Sequence, residues 1–374
     1  MSLVGDRSHS GSRQVLKGGY AGQRAQRRVL VIGGAGYIGS ALVPKLLKQG
    51  YQVRLLDTLT FGTEPIAEVL KHPRLKVVTG DFRNLNTVVS AVQGVDAVIH
   101  LGALVGDPSS LLDEELTIET NRVATRLVAG CAKANRIPRF IFASSCSVYG
   151  CKDCTLDEQS TLDPVSLYAR SKVASETLLT EMANKSFRPT ILRFGTVYGL
   201  AGRTRFDLVV NLMTAKAILD RKIVVFGAGE VRPFVHVEDV ASSVISVLEA
   251  PLDEVGSEIF NVGSEAQSRT RAEVGEMIQQ QAPKADLLID CKNGSHGAHR
   301  FDFSKIQTRL GFRPEWTIES GIKQVIESIE SGKVTDYKDP RYSKSRFLTE
   351  EMSLEVTNDE QFSLQTAGKQ SLLF

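Results

Sequence analysis

Tyr168 and Lys172 are the residues whose types and spacing point most directly to a reaction. They stand four positions apart in a segment with helical periodicity, so both side chains fall on one helix face, one turn apart. A free tyrosine has a pKa of about 10, too high for a base near neutral pH. A neighbouring ammonium favours the phenolate, so we expect Lys172 to lower the pKa of Tyr168 and let it exchange a proton with a hydroxyl. Because this spacing is common on amphipathic helices, it needs support from other residues.

A run of hydroxyl-bearing residues lies upstream of this helix. The buried strand predicted at 140–143 leads into Ser144, Ser145 and Ser147. Doubly wound sheets carry their chemistry at the carboxyl ends of their strands. We therefore expect Ser145 to share a hydrogen bond with the reacting oxygen.

Three glycines, Gly33, Gly36 and Gly39, follow the first predicted strand in a G-x-x-G-x-x-G spacing. Such a turn lets a pyrophosphate approach the backbone and the free N–H groups of a helix N-terminus. Asp57 ends the next predicted strand about 20 residues on, where an acid binds the ribose hydroxyls of a dinucleotide. Because Asp57 would repel a 2′-phosphate and no Arg or Lys closely follows it, the pattern favours NAD over NADP. Glycines that serve only close helix–strand packing are the minor alternative in this context.

The elements that position these residues alternate between short apolar strands and helices. This order is typical of βαβ units and predicts an α/β fold: a doubly wound parallel Rossmann sheet with a smaller C-terminal substrate-binding lobe. Residues 221–235 are expected to form a hairpin-like segment around a turn at 227–229. Strands are predicted at 29–32, 51–56, 75–78, 97–100, 140–143 and 190–194, and helices at 40–49, 121–134, 167–185 and 238–249.

Composition divides the chain into four parts. Residues 1–27 are rich in Gly, Ser and Arg and hold a single acid, so we expect a disordered N-terminal extension, with a transit peptide or an expression tag as alternatives. The Rossmann domain is predicted at 28–200, its sheet completed by later segments. Residues 201–335 are predicted to form most of the substrate-binding lobe, and 336–374 a polar tail.

The overall composition excludes several classes of protein. A net charge of +2 over 374 residues gives no basis for nucleic-acid binding. No stretch approaches the roughly 20 apolar residues of a membrane span and no secretory start is present, so we expect a cytoplasmic protein without membrane contact. The five cysteines are expected to be reduced thiols. Cys151 and Cys154 are interpreted as part of an ordinary loop, without a metal.

The motifs occur together in the order of a known family. From residue 28 to about residue 335 the chain resembles the NAD-dependent epimerase/dehydratase family of extended short-chain dehydrogenases, relatives of UDP-galactose 4-epimerase. Each motif is modest, but the ordered set is highly specific. The resemblance rests on the glycine loop, Asp57, His100-Leu101-Gly102-Ala103, Asn121, the serine strand with Val148-Tyr149-Gly150, Tyr168 with Lys172, and Leu192-Arg193.

This resemblance implies roles for individual residues. Ser145, Tyr168 and Lys172 would form the catalytic trio, and His100 would be a strand-end residue near the cofactor rather than a proton donor. Independently of the resemblance, Asp81 and Phe82 follow the third predicted strand and are expected to contact the adenine, with a plain turn as a comparable alternative. We also expect a homodimer. The residues expected to bind NAD are Gly33, Gly36, Tyr37, Ile38, Gly39, Asp57, Asp81, Phe82, Leu101, Gly102, Ala103, Asn121, Tyr168 and Lys172.

The resemblance further implies a nucleotide-diphosphate sugar as the substrate. Arg232 and Arg300 correspond to the two arginines that grip the diphosphate in the family, a task suited to a guanidinium, although Pro233 replaces the usual acid. Thr196 and Asn211 are the other expected substrate contacts. Either arginine alone could be a solvated surface residue, but jointly, in family order, they favour a diphosphate clamp.

Epimerisation is the function expected from these features: bound NAD⁺ would oxidise a sugar hydroxyl and return the hydride to the opposite face. A nucleotide-sugar ketoreductase or dehydrogenase and a non-catalytic NAD-binding scaffold are the alternatives. Cys146 and Ser147 stand where the dehydratases of the family carry Asp-Glu, which disfavours 4,6-dehydration. Thr196 stands where many epimerases have Asn, which weakens an assignment to galactose-type epimerisation.

Overall fold

The computed structural model describes residues 27–150, 152, 154–290, 300–343 and 349. The predicted N-terminal extension, apart from residue 27, lies outside the described residues. Cys151 and most of the predicted C-terminal tail also lie outside them. In the described part of the chain, no helix is long and apolar enough to cross a membrane.

A parallel seven-stranded sheet forms the centre of the protein. The strands of the described chain are β1 (Arg28–Ile32), β2 (Gln52–Asp57), β3 (Leu75–Thr79), β4 (Ala97–His100), β5 (Arg139–Ser145), β6 (Thr155–Leu156), β7 (Arg188–Phe194), β8 (Thr196–Tyr198), β9 (Lys222–Phe226), β10 (Val231–His236), β11 (Ile259–Val262), β12 (Ser268–Thr270), β13 (Asp286–Asp290) and β14 (Arg300–Phe301). The central sheet has the order β3-β2-β1-β4-β5-β7-β11. The strand order reverses between β1 and β4, which opens a crevice at their carboxyl ends. The predicted Rossmann sheet is confirmed.

Helices cover both faces of this sheet. In β1, Val29 and Val31 are buried on one face and Leu30 and Ile32 on the other, which explains why the strand is apolar after Arg28. The first face packs against α1 and α8, and the second against α2, α5 and α6. The α-helices are α1 (Tyr37–Lys48), α2 (Leu85–Val92), α3 (Asp107–Leu112), α4 (Glu114–Ile118), α5 (Ala124–Ala134), α6 (Leu167–Met182), α7 (Val209–Leu219), α8 (Val237–Glu249), α9 (Leu252–Val255), α10 (Arg271–Gln281), α11 (Ser304–Leu310) and α12 (Ile318–Glu330).

A separate apolar cluster holds the later segments together. Ile223 of β9 and Phe234 of β10 are buried in it with residues of α7, α10 and α12. Strands of two small sheets, β12-β10-β8 and β13-β9, contribute to this cluster, whereas the β14-β6 pair packs in another cluster with Val148 and Tyr149. By contrast, α8 and β11 return to the central sheet, where β11 pairs with β7.

The hairpin predicted at 221–235 is wrong. Both strands and the turn between them exist, but β9 pairs with β13, whereas β10 pairs with β8 and β12. Ile223 and Phe234 are both buried in the later cluster, and each strand finds its hydrogen-bond partners in segments distant along the chain. Such pairing depends on tertiary packing, which local periodicity does not contain.

Candidate active site

A cavity of about 400 Å³ opens at the carboxyl ends of β1, β4 and β5. This volume is within the usual range for small-molecule sites. The cavity extends from the glycine loop to the carboxyl end of β5, at Ser145, and to Thr196 and Val197 of β8. The predicted site residues that line it are Gly33, Gly36, Tyr37, Ile38, Gly39, Asp57, Phe82, Leu101, Gly102, Ala103, Ser145, Tyr168, Lys172, Thr196 and Arg232.

The glycine loop has the shape that a pyrophosphate requires. Gly33 has a φ of +77°, a conformation that residues with a side chain rarely adopt. A Cβ atom at Gly39 would lie 2.4 Å from the carbonyl oxygen of Gly33, so the first turn of α1 packs directly on the loop. Gly36 caps α1 without a side-chain hydrogen bond, and no acid stands in the first turn. The first amides of α1 are therefore free for an anionic ligand, and these residues fit the pyrophosphate of a dinucleotide.

Asp57 lies beside this loop at the end of β2. Its carboxylate accepts hydrogen bonds from the backbone N–H groups of Ala35, at 3.0 Å, and Leu59, at 2.9 Å. These contacts hold the side chain at the edge of the cavity while each oxygen keeps further acceptor capacity. Asp57 is thus placed where a ribose hydroxyl can donate to it.

Lys172 is buried in the lining of the cavity. Its Nζ donates to the carbonyl oxygen of Ala143 at 2.7 Å and lies 4.7 Å from the centre of the Phe142 ring. Burial lowers the pKa of Lys172 to about 8, and the nearby charge of Glu176 opposes this shift. The amine is therefore mostly charged at neutral pH, but it loses its proton within the range in which enzymes are assayed.

Tyr168 is half-buried in the cavity lining, with the centre of its ring 5.8 Å from the Nζ of Lys172. Burial raises the pKa of Tyr168 to about 12, outweighing the charge of Arg205 and the nearby side chain of Ser145, which both lower it. Desolvation of the phenolate therefore dominates in the protein alone, and the expected lowering of the Tyr168 pKa by Lys172 stays a prediction. The two predicted catalytic hydroxyls, those of Ser145 and Tyr168, belong to residues that line the same cavity.

A buried polar network adjoins the catalytic trio. Its central residue, Glu176, is not among the site residues predicted from the sequence. Glu176 follows Lys172 by one helical turn and accepts hydrogen bonds from the Nε and Nη2 of Arg193 and from the hydroxyl of Ser144. The Nη1 of Arg193 donates to the Tyr149 hydroxyl at 2.8 Å. An acid at this spacing after Tyr168 and Lys172 on the same helix face was the available signal.

Four predicted site residues lie away from the cavity lining. Asn121 binds the backbone N–H and carbonyl of Leu104, at 2.8 and 2.9 Å, and so supports the loop after β4. Asn211 is fully buried and bonds to the backbone of Gly199. Asp81 forms an ion pair with Arg83 at 2.6 Å, and Arg300 is exposed on β14.

His100 has the environment of a structural residue. It is buried, and its Nε2 lies 3.0 Å from the hydroxyl of Thr125. Burial, with a smaller contribution from Lys172, lowers the pKa of His100 to about 3. A neutral imidazole outside the cavity lining agrees with the expectation that His100 is not a proton donor.

Three arginines line the cavity from the C-terminal half of the chain: Arg203, Arg205 and Arg232. Arg205 forms two hydrogen bonds of 2.9 Å with Asp207. Arg232 pairs with Glu230 and is partly exposed. Only Arg232 was predicted. Arg203 and Arg205 reach the site through the segment that follows β8, and no local motif marks them.

Comparison with known proteins identifies the family of this chain. The sequence model of the NAD dependent epimerase/dehydratase family matches residues 29–263, more than half of the chain. The chain is 27% identical to a UDP-N-acetyl-alpha-D-glucosaminuronate decarboxylase of Bacillus cytotoxicus, over 81% of this chain and 97% of that protein. It is also 27% identical to a dTDP-glucose 4,6-dehydratase of Streptomyces niveus, over 80% of this chain and 92% of that protein.

Solved structures give the same result. A UDP-glucuronic acid 4-epimerase from Bacillus cereus, in complex with UDP-glucuronic acid and NAD, superposes with a TM-score of 0.74 at 26% identity, over 81% of this chain and 99% of that one. DesIV, a dTDP-glucose 4,6-dehydratase from Streptomyces venezuelae with NAD bound, superposes with a TM-score of 0.72 at 26% identity, over 82% and 98%. This chain belongs to the NAD dependent epimerase/dehydratase family, within the extended short-chain dehydrogenases/reductases.

Proposed function

We propose that this protein is an NAD-dependent nucleotide-sugar epimerase. The observation that carries the proposal is one cavity that joins the glycine loop, the Ser145–Tyr168–Lys172 trio and Arg232. A non-catalytic scaffold has no need to keep such a trio at the cofactor site. The relatives include epimerases, dehydratases and a decarboxylase, so the choice among these reactions rests on the residues around the trio.

The residue after Ser145 argues against dehydration. Cys146 is buried, its thiol donates to the carbonyl oxygen of Arg193, and burial raises its pKa. Ser147 lines the cavity but carries no ionisable proton near neutral pH. The acid that elimination of water needs at this position is therefore missing, which leaves oxidation and reduction at one carbon as the reaction supported best.

Ser145, Tyr168 and Lys172 each have a distinct role in such a reaction. Ser145 and Tyr168 hydrogen-bond the reacting sugar hydroxyl, and Tyr168 takes its proton as the carbon is oxidised. When bound, NAD⁺ would supply the acceptor for the hydride and would give the hydride back to the opposite face of the sugar. Lys172 keeps a positive charge near Tyr168 and stabilises the phenolate as it forms. After the ketosugar has turned its other face, Tyr168 returns the proton to the oxygen.

A nucleotide-diphosphate sugar is the proposed substrate, with Arg232 and Arg300 as the diphosphate clamp. Arg232 supports this by lining the cavity, where a guanidinium fork fits a phosphate. Arg300, which is exposed on β14, would have to approach the cavity when substrate binds.

The test is a screen of nucleotide sugars with the purified full-length protein and no added cofactor, with product stereochemistry read by NMR. An epimerase interconverts two sugars under these conditions and retains deuterium placed at the reacting carbon. A requirement for added NAD(P)H, with a net change in its absorbance, would instead identify a reductase or dehydrogenase. Loss of the deuterium to solvent would contradict hydride return from bound cofactor.

We further propose a homodimer that works in the cytoplasm. Leu85 and Val89 of α2 and the neighbouring Val123 are 55, 39 and 55% exposed, a surface suited to a second copy of the chain. Free thiols at Cys131, Cys146 and Cys154 agree with a reducing compartment. Light scattering of the protein and of a Val123→Lys variant tests the dimer, which the variant should weaken; a wild-type protein that is monomeric at all concentrations would exclude it.

A further inference from the structure

Arg203 is a buried cation inside the cavity that the catalytic trio does not use. Its side chain lines the cavity, yet only 7% of the residue is exposed to solvent. Within the described chain, its Nε and Nη2 atoms have no hydrogen-bond partner. Because a buried charge is normally paired and hydrogen-bonded, two free donors on one guanidinium indicate a missing anionic ligand.

The position of Arg203 is fixed from two sides. Its guanidinium carbon lies 3.8 Å from the centre of the Phe61 ring, a stacking arrangement that orients the planar fork. Its backbone N–H donates to the hydroxyl of Ser40, in the first turn of α1, at 3.0 Å. The preceding Gly202 packs so closely on the carbonyl oxygen of Pro65 that a Cβ atom would lie 1.9 Å from it. The backbone of Arg203 is thus held at the first turn of α1, and its fork lines the same cavity as the glycine loop.

The charges around Arg203 leave it without a partner. Burial lowers the pKa of Arg203 to about 10, so the group stays charged at neutral pH. Asp207, one of the two acids that favour the charged form of Arg203, is already paired with Arg205. Asp57 is the remaining acid close enough to favour the charged form, but it forms no ion pair with Arg203.

We propose that Arg203 binds the pyrophosphate of NAD, together with the amides at the N-terminus of α1. A guanidinium fork matches two phosphate oxygens, and its charge adds to the positive end of the helix. A 2′-phosphate is the less suitable occupant because Asp57 would repel it. The diphosphate of the substrate is less suitable because Ser40 and Phe61 place Arg203 on the cofactor side.

The experiment measures binding by calorimetry with full-length protein freed of cofactor. The probes are NAD⁺, NADP⁺, ADP, adenosine and UDP. The variants are Arg203→Met, which removes the charge, and Arg203→Lys, which keeps the charge but not the fork. Arg309→Met, at an exposed arginine of α11, is the matched control. The proposal concerns the cofactor of the family rather than the proposed epimerisation, and binding without a sugar substrate keeps the two separable.

We expect Arg203→Met to weaken ADP and NAD⁺ binding by about 10-fold or more, the scale of lost charged hydrogen bonds, and to leave adenosine binding unchanged. Arg203→Lys should lose less than Arg203→Met, and Arg309→Met should match the wild type. Equal loss for adenosine would show a structural role and overturn the proposal. Loss confined to UDP or to NADP⁺ would assign Arg203 to the substrate or to a 2′-phosphate and would also overturn it. If Arg203→Met does not fold, unchanged ADP binding by Arg203→Lys would be the contrary result.

Discussion

Glu176 and Arg193 form a buried ion pair behind the catalytic helix, with the Oε2 of Glu176 2.6 Å from the Nη2 of Arg193. Both side chains are almost inaccessible, at 4 and 3% exposure. The pair connects α6, which carries Tyr168 and Lys172, to β7, and Glu176 also binds Ser144 at the end of β5. The ends of these elements, where the trio stands, are thereby held in one arrangement.

Replacement of Glu176 by Gln should destabilise the protein strongly. It leaves the Arg193 guanidinium buried without its counter-charge, which costs about 3–5 kcal/mol of unfolding free energy. Urea unfolding of Glu176→Gln measures this loss. Asp253→Asn is the control, because Asp253 pairs with Arg188 at the surface and its carboxylate is 91% exposed, so a change below about 1 kcal/mol is expected. If both substitutions lower the unfolding free energy equally, the buried Glu176–Arg193 pair does not stabilise the protein more than the surface pair, contrary to the prediction.

Tyr168→Phe should leave NAD binding nearly unchanged and reduce turnover by roughly 10²-fold or more, the usual scale for a positioned acid–base group. The ring still packs in its half-buried site, but the exchangeable proton is gone. Cofactor titration and steady-state kinetics on the same preparation separate the two effects. A fully active Tyr168→Phe enzyme would remove Tyr168 from the mechanism.

Lys172→Met should reduce both turnover and NAD affinity, since the ammonium serves the phenolate and, by family resemblance, the nicotinamide ribose. Burial lowers the pKa of Lys172 from 10.5 to about 8, so the charge is present below pH 8 and is lost as the pH rises through 8. NAD affinity of the cofactor-free wild type should therefore fall between about pH 7 and pH 9. Lys172→Met should lack this dependence. A variant with the wild-type pH profile would show that another group titrates.

Asp57→Ala should weaken NAD binding and narrow its advantage over NADP. The substitution removes the acceptor for the ribose hydroxyls and the charge that repels a 2′-phosphate. Dissociation constants for both cofactors, measured side by side, test it. Unchanged constants would mean that the carboxylate serves only its backbone partners Ala35 and Leu59.

Arg232→Ala and Arg300→Ala should mainly raise the KM for a nucleotide sugar, because a diphosphate is held alike in the ground state and the transition state. The larger effect is expected at Arg232, which already lines the cavity. Steady-state kinetics with the substrate found in the screen would measure both. If neither substitution alters KM, the diphosphate clamp is wrong.

Local sequence patterns predicted the features of the protein that depend on residues close together in the chain. The strands of the Rossmann sheet are short apolar runs, and the glycine loop stands between β1 and α1 with Asp57 at the end of β2. Tyr168 and Lys172 share a helix face because four residues make about one turn. Strand periodicity, helix geometry and the turn requirements of glycine act over a few residues, so the sequence alone carries them.

Only the tertiary structure decided the features that depend on distant segments and on burial. Tertiary packing pairs β9 with β13 and β10 with β8, rather than pairing β9 with β10 as a hairpin. It also brought Arg203 to Phe61 and Asn211 to the backbone of Gly199, more than ten positions away. The pKa of Tyr168 rises because the folded chain removes water from the phenol, and desolvation outweighs the favourable charges nearby. Contacts across the fold and the loss of solvent have no local signature, so the sequence determined which chemical groups were available and the packing determined their neighbours and their charge.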